Sequence, residues 1–386
     1  MRPNWTLQAV TYSVRQTYLA FKVRIRQWGH LPVKRGATVL ITNHQYLDEG
    51  EIVVGRTFLL HPWKPLAMCN SRRTFETGFI ATAIPWTAWF TRRLNLSGLW
   101  AGYRVLPIEN HLFSRPLISL AEDLRAVHGD LRLDAILPRE TLEPLGLEAR
   151  VLSDLWKPAD FMRARAWVKV AKLNQPYRRE VLANLRAVTE RDVAAIVECV
   201  RTGVTFYITP EGDFSRDGRM HPMRGGIVDA LAPFAELWLC AIAYDPFRGR
   251  RLSMLYRVLR HDDAVDIGTS LARARPITTS SLLAAFLLDA PETFTLRDAV
   301  QAVRERLDSL PENVFVDPEL QRAPEAAVVD AFATLRKRGT LTGGNERYRV
   351  TAHRTDARFP HIADMVAYQS NMLDETLAAS RRLGQA

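Results

Sequence analysis

Thr42-Asn43-His44-Gln45-Tyr46-Leu47-Asp48-Glu49 decides how this chain folds and what it does. It follows Ala37-Thr38-Val39-Leu40-Ile41, a strand-favouring apolar run that ends at a polar turn. A second stretch, Pro210-Glu211-Gly212-Asp213-Phe214-Ser215-Arg216-Asp217-Gly218, follows Val204-Thr205-Phe206-Tyr207-Ile208 in the same way. Both stretches therefore sit at the C-terminal end of a predicted strand, where open α/β sheets carry their sites.

His44 with a carboxylate just downstream is a base with its orienter. A neutral imidazole takes a proton from a hydroxyl, and a carboxylate behind it fixes the tautomer and stabilises the imidazolium that forms. If the chain turns helical after Asn43, Asp48 falls at i+4 from His44, on the same face. No serine or cysteine nucleophile is required when the attacking hydroxyl belongs to the substrate. An isolated histidine is more often a capping or core residue. Glu211 alone reads as a turn carboxylate that satisfies backbone N–H groups. The two stretches taken together argue for chemistry.

Together they resemble the glycerolipid acyltransferase superfamily, which includes the lysophosphatidate and glycerol-3-phosphate acyltransferases. That family's first block is Asn-His, four residues, then Asp, and its third is Pro-Glu-Gly-Thr-Arg-Ser followed by Arg-Asp-Gly. This chain has Asn43-His44, then Pro210-Glu211-Gly212, then Ser215-Arg216-Asp217-Gly218, in the family's order. The family's spacing would place the orienter at Glu49, whereas Tyr46-Leu47-Asp48 matches its aromatic-Leu-Asp tail and favours Asp48. Asp213-Phe214 stand where the family has Thr-Arg. Gly102 to Asn110 is a loose match to the second block, with Glu109 near its Asp and Asn110 where an Arg is expected.

The resemblance implies a mixed central sheet flanked by helices. It also implies transfer of a fatty acyl group from acyl-CoA or acyl carrier protein to a hydroxyl of a (lyso)glycerophospholipid such as 1-acylglycerol-3-phosphate, in phospholipid biosynthesis. His44 would be the base, and Asp48 or Glu49 its orienter. Backbone N–H groups near Gly212 would face the oxyanion. Glu211 and Ser215 would shape the acceptor pocket, and Arg216, Arg219 and Arg104 would replace the missing phosphate-binding arginines. Such a direct transfer uses no metal and no cofactor. The other reading is a catalytically inactive lipid- or nucleic-acid-binding protein on the same scaffold, prompted by the lost arginines. An unrelated α/β hydrolase lacks its Gly-x-Ser-x-Gly elbow here.

At 386 residues the chain holds a large core in two domains or one domain with insertions. Its net charge of +10 suits an anionic partner such as a membrane surface or coenzyme A, or serves plain solubility. Nucleic acid is not expected. Cys69, Cys199 and Cys240 form no metal-spaced pair and read as reduced buried thiols. With no apolar signal core and no run near 20 apolar residues, the expected location is cytoplasmic, peripheral on the inner face of the cell membrane.

In chain order, residues 1–35 contain an amphipathic helix over 5–28, with Leu7, Val14, Tyr18, Phe21, Ile25 and Trp28 on one face. This face suits a membrane interface or ordinary packing on the core. Residues 36–265 form the α/β domain. Within it, the uncharged run from Phe79 to Phe90, flanked by arginines, either dips into a bilayer or walls an acyl-chain tunnel. A mostly helical insertion over about 129–190 interleaves basic and aromatic residues, which suits nucleic acid, lipid headgroups or a solvated lid. Residues 266–386 are a mainly helical extension. Its end shows the helix and short hairpin of a winged-helix-like unit, or a plain structural tail.

Overall fold

A computed structural model describes residues 4–30, 36–46, 49–109, 113–344 and 346–384. The first strands are β1 (Val23–Trp28), β2 (Thr38–Thr42), β3 (Leu66–Ser71), β4 (Val105–Ile108), β5 (Ser114–Pro116) and β6 (Trp167–Lys169). β7 (Thr205–Ile208), β8 (Glu236–Asp245), β9 (Leu252–Arg260), β10 (Phe294–Thr295), β11 (Leu341–Gly344) and β12 (Arg347–Val350) follow. The chain is α/β with a mixed sheet, as the sequence indicates. Its contacts divide it into one unit of Met1–Gln8 with Ala67–Cys199 and another of Ala9–Leu66 with Val200–Ala386.

In the second unit β2 lies between β7 and β8, parallel to both. β9 runs antiparallel to β8, and β1 adds in parallel to β9. β2 and β7 are buried along their whole length, which is why both read as unbroken apolar runs rather than alternating ones. Helix α2 (Glu49–Leu60) and the helices Ile267–Ala274 and Thr279–Asp289 pack against these strands. Asn43 extends the β2–β8 ladder with its side chain. Its Nδ2 donates to the Ile242 carbonyl at 2.9 Å and its Oδ1 accepts the Ile242 N–H at 2.7 Å, so the strand ends with its neighbour's polar groups satisfied.

The N-terminal helix is shorter than the sequence suggests. α1 covers Trp5–Lys22, and residues 23–28 are β1. The period-2 pattern Val23-Arg24-Ile25-Arg26 wins over the helical spacing, because Arg26 forms a fork to buried Asp317 at 2.7 and 2.8 Å and Arg24 reaches Glu319. On α1, Tyr12 and Leu19 are buried, while Val10, Val14, Tyr18 and Phe21 face solvent.

In the first unit β3 and β4 pair in parallel and β5 and β6 antiparallel. The expected helical insertion is largely not helical. Residues 129–176 form turns, single-turn helices and β6, interrupted by Pro138, Pro144, Pro158 and Pro176, and a long helix begins only at Tyr177 (Tyr177–Arg201). Nor is it a solvated lid. Leu133, Ile136, Leu152, Leu155 and Phe161 share one buried cluster with the helix Leu117–His128.

The C-terminal region is mainly helical, with a three-stranded sheet in the order β10-β12-β11. The elements run helix Thr279–Asp289, β10, helix Leu296–Asp308, the one-turn helix Pro318–Arg322, helix Pro324–Lys337, β11 and β12. The last helix, Met365–Gly384, packs on the helices Ile267–Ala274 and Thr279–Asp289. Among the described residues no helix is long and apolar enough to cross a membrane.

Asn43→Ala strands the buried N–H and C=O of Ile242. It is expected to lower the unfolding free energy by about 2–5 kcal/mol in urea titrations, and an unchanged midpoint would contradict this role.

Candidate functional site

The pairing of Ile41 with Ile208 across β2 and β7 sets the site. His44 and Glu211 each lie three residues beyond that pair, so the two loops leave the sheet side by side. Glu211, almost fully buried, clamps them together. Its Oε1 accepts the His44 backbone N–H at 2.7 Å and its Oε2 accepts the His221 N–H at 2.9 Å. The Ser215 N–H donates to the His44 carbonyl at 3.2 Å and closes the join from the other side. Burial drives the Glu211 pKa up to about 7, against the opposing pull of these two N–H groups and of Arg275.

His44 is partly exposed, and its Nδ1 lies 2.9 Å from Oε2 of the fully buried Glu49. The Gln45 N–H donates to both Glu49 oxygens at 3.0 Å. With Glu49 ionised it accepts in each contact, and a neutral His44 then carries its proton on Nδ1 and its lone pair on Nε2. Burial pushes the Glu49 pKa up, with the His44 hydrogen bond opposing. Tyr244, buried beside it, has its phenol pKa raised by burial and by the Glu49 charge.

The carboxylate against His44 Nδ1 is thus Glu49, one of the two that the sequence offered for that place. An i+4 placement of Asp48 needs a helix starting after Asn43, but residues 43–46 are not helical and α2 begins at Glu49. Asp48, with Leu47, lies outside the described residues.

The remaining expected residues divide. Gly212 has φ +72°, and a Cβ there would come within 2.7 Å of the Arg224 guanidinium, so the loop turns tightly beneath that cation. Ser215 Oγ accepts the Gly218 N–H at 3.0 Å and so serves the turn. Arg216 is exposed and makes no hydrogen bond or ion pair among the described residues. Arg219 turns to Asn371 at 3.3 Å and Asp217 at 3.6 Å. Arg104 belongs to the first unit, where it precedes β4 with φ 54° and its charge acts on the Cys199 thiol.

Phe214, in the place of the family's arginine, lays its ring 4.1 Å from that of His44, centroid to centroid. Its ring also stacks on His361 at 5.1 Å. Phe359 joins Tyr46 and Tyr244 in the same aromatic group. His361 has its pKa lowered by burial, then by the charges of His44 and Arg216, while the Gln45 backbone oxygen opposes. Sequence reading missed His361 and Arg224. Arg224 had a local signal, since it follows the second stretch by a few residues, but nothing near His361 marks its return to His44.

The C-terminal region also braces the loops. Arg275, buried with 1% exposure, donates to the carbonyls of Gly218 and Met372 at 3.2 Å and to Glu375 at 2.6 Å. Gly218, at φ +91°, passes so close to Tyr368 that a Cβ would meet its carbonyl at 2.0 Å. A cavity of about 360 Å³ lies behind the loop, lined by Met220, Met223, Ala272, Glu375 and Arg382.

The three cysteines are free, and burial raises each thiol pKa, that of Cys69 to about 12, so none is a ready thiolate. Among the described residues no group of three or more His, Cys, Asp or Glu is placed to hold a metal. Compared with models of protein families and with curated proteins, the chain matches none.

Glu211 titrates well above its ordinary 4.5, so its contribution to stability is full below that pH and is lost as pH rises toward 7. Wild type is expected to lose about 3 kcal/mol over that window through this one group, and Glu211→Gln to lose the corresponding slope. Urea unfolding at intervals from pH 4.5 to 7.5 reads both, and equal slopes would contradict the assignment.

Proposed function

We propose that this chain is an acyltransferase of the glycerolipid kind. It would move a fatty acyl group from an acyl-CoA or acyl-carrier-protein thioester to a hydroxyl of a lysophospholipid, as in phospholipid biosynthesis. The observation that carries this reading is the Glu49–His44 pair at the end of β2, with Glu211 of the second stretch clamped to its backbone. His44 Nε2 takes the acceptor's hydroxyl proton while that oxygen attacks the thioester carbonyl. The tetrahedral intermediate collapses, the C–S bond breaks, and the thiolate takes the proton back from His44. Glu49 stabilises the imidazolium in between. A hydrolase with its own nucleophile fits less well, because the sequence has no Gly-x-Ser-x-Gly elbow.

For the acceptor's phosphate, Arg216 is the better-placed candidate, since Arg219 is engaged by Asp217 and Asn371. Arg224, against Gly212, is a second cation on the same loops. The reaction would then run on the inner face of the cell membrane with a cytoplasmic donor.

The inactive nucleic-acid-binding alternative draws on the winged-helix-like unit that the sequence suggests at the end of the chain. The helix it would use, Pro324–Lys337, exposes Glu325, Ala326, Val329 and Ala333, with basic residues only in its last turn. That surface offers few groups to read base edges.

His44→Ala is expected to lower turnover by about 10²–10⁴ in a protein that still folds by circular dichroism, and near-normal turnover would sink the mechanism. Glu49→Gln is expected to fall in the same range and Asp48→Asn to stay close to wild type, and the reverse order would transfer the orienting role to Asp48. Arg216→Ala is expected to raise KM for lysophosphatidate about 10-fold or more and leave an unphosphorylated monoacylglycerol unaffected, since a charge-assisted contact contributes about 1.5–3 kcal/mol. Unchanged lysophosphatidate kinetics would remove Arg216 from the phosphate site.

A further inference from the structure

One segment of the first unit is built inside out. Between Pro85 and Thr91 the chain makes two short helical turns, Pro85–Thr87 and Ala88–Thr91. Their hydroxyl residues point inward. Thr87 and Thr91 are buried, their hydroxyls donate to the Ile84 and Thr87 carbonyls at 2.7 and 2.9 Å, and the two hydroxyl oxygens lie 3.1 Å apart. Their aromatics point outward, with Trp86 79% exposed, Trp89 75% and Phe90 51%. Ile84, Leu94 and Leu99 continue the exposed apolar surface. An amphipathic turn in water takes the opposite arrangement.

The excursion is fixed at its base, so the exposure is not that of a loose loop. The Gly78 N–H donates to the Leu94 carbonyl at 2.9 Å, and Gly78 (φ +80°) passes so close that a Cβ would meet the Arg92 carbonyl at 2.5 Å. Arg92 then turns back to donate to the Trp89 carbonyl at 2.7 Å.

Its charge is one-sided. From Thr77 to Ile108 there is no aspartate or glutamate, while Arg92, Arg93 and Arg104 are present. Tryptophan and phenylalanine beside arginine, without an acid, is the composition that settles at the headgroup level of an anionic bilayer. The turns are too short to span one. A protein partner would leave the uniform positive sign without a specific role.

We propose that residues 84–99 are a membrane-docking element, with Trp86, Trp89 and Phe90 inserted among the headgroups of an anionic phospholipid bilayer and Arg93 held at its charged surface. The inference does not depend on the chemistry of His44.

The test uses the full-length protein with vesicles of phosphatidylcholine alone and of phosphatidylcholine with phosphatidylglycerol, read by co-sedimentation and by tryptophan quenching with brominated lipid. Wild type is expected to bind the anionic vesicles, more weakly as salt rises. The triple variant Trp86→Ala, Trp89→Ala, Phe90→Ala is expected to bind at least about 10-fold less. Arg93→Glu is expected to lose binding several-fold on anionic vesicles only. Circular dichroism and the unfolding midpoint confirm that each variant folds, and a variant that fails this check is replaced by Trp86→Ser alone, with the same direction of effect expected. Wild type that ignores vesicles, or a triple variant that binds as wild type, overturns the proposal. So does a wild-type dimer that the triple variant converts to monomer, because the patch would then be an interface between copies.

Discussion

The Glu211 carboxylate holds the site together by taking one backbone N–H from each of two loops that are far apart in sequence. This works only because β2 and β7 pair in parallel with Ile41 opposite Ile208, so both loops leave the sheet at the same height. A slip of one residue would turn each strand's side chains to the other face and move His44 away from Glu211. Asn43 fixes the register on the other side of β2 by completing the ladder to Ile242. Three successive features, the strand pair, the asparagine and the glutamate, thus place one imidazole.

Two buried carboxylates at one site cost free energy, and the raised pKa values of Glu49 and Glu211 are its signature. The compensation is distributed. Gln45 and His44 supply donors to Glu49, the His44 and His221 N–H groups supply them to Glu211, and buried Arg275 adds a positive charge nearby. Arg275 is itself held by Glu375 and by carbonyls of the loop and the last helix. The C-terminal region is therefore part of the site's support. Removing it would leave Gly218 and Met220 without their partners, Arg275 and Glu375.

Much of this was legible locally. β2, β7 and β8 announce themselves as apolar runs, and the polar stretches after β2 and β7 mark the site. The helix Pro324–Lys337 reads directly from its pattern. What could not be read depends on contacts far along the chain. Residues 23–28 have enough helical spacing to mislead, and only Asp317 and Glu319 explain why Arg24 and Arg26 make a strand. Glu49 meets His44 because residues 43–46 are not helical and α2 begins only at Glu49, which i+4 reasoning cannot anticipate. His361 reaches the His44 neighbourhood through Phe214, and no spacing rule links positions so distant. The aromatics of the run from Phe79 to Phe90 were visible, but that Trp86, Trp89 and Phe90 face outward required the buried threonines beside them.

The central claim is that the imidazole at the end of β2 activates an acceptor hydroxyl against a thioester. Its most direct test incubates the purified protein with acyl-coenzyme A and a panel of lysophospholipid and monoacylglycerol acceptors, following free thiol and acylated lipid by mass together. The account requires thiol and acylated lipid to appear in equal amounts, and only when a hydroxyl acceptor is present. Thiol release without an acylated acceptor, or no release with any member of the panel, would contradict it.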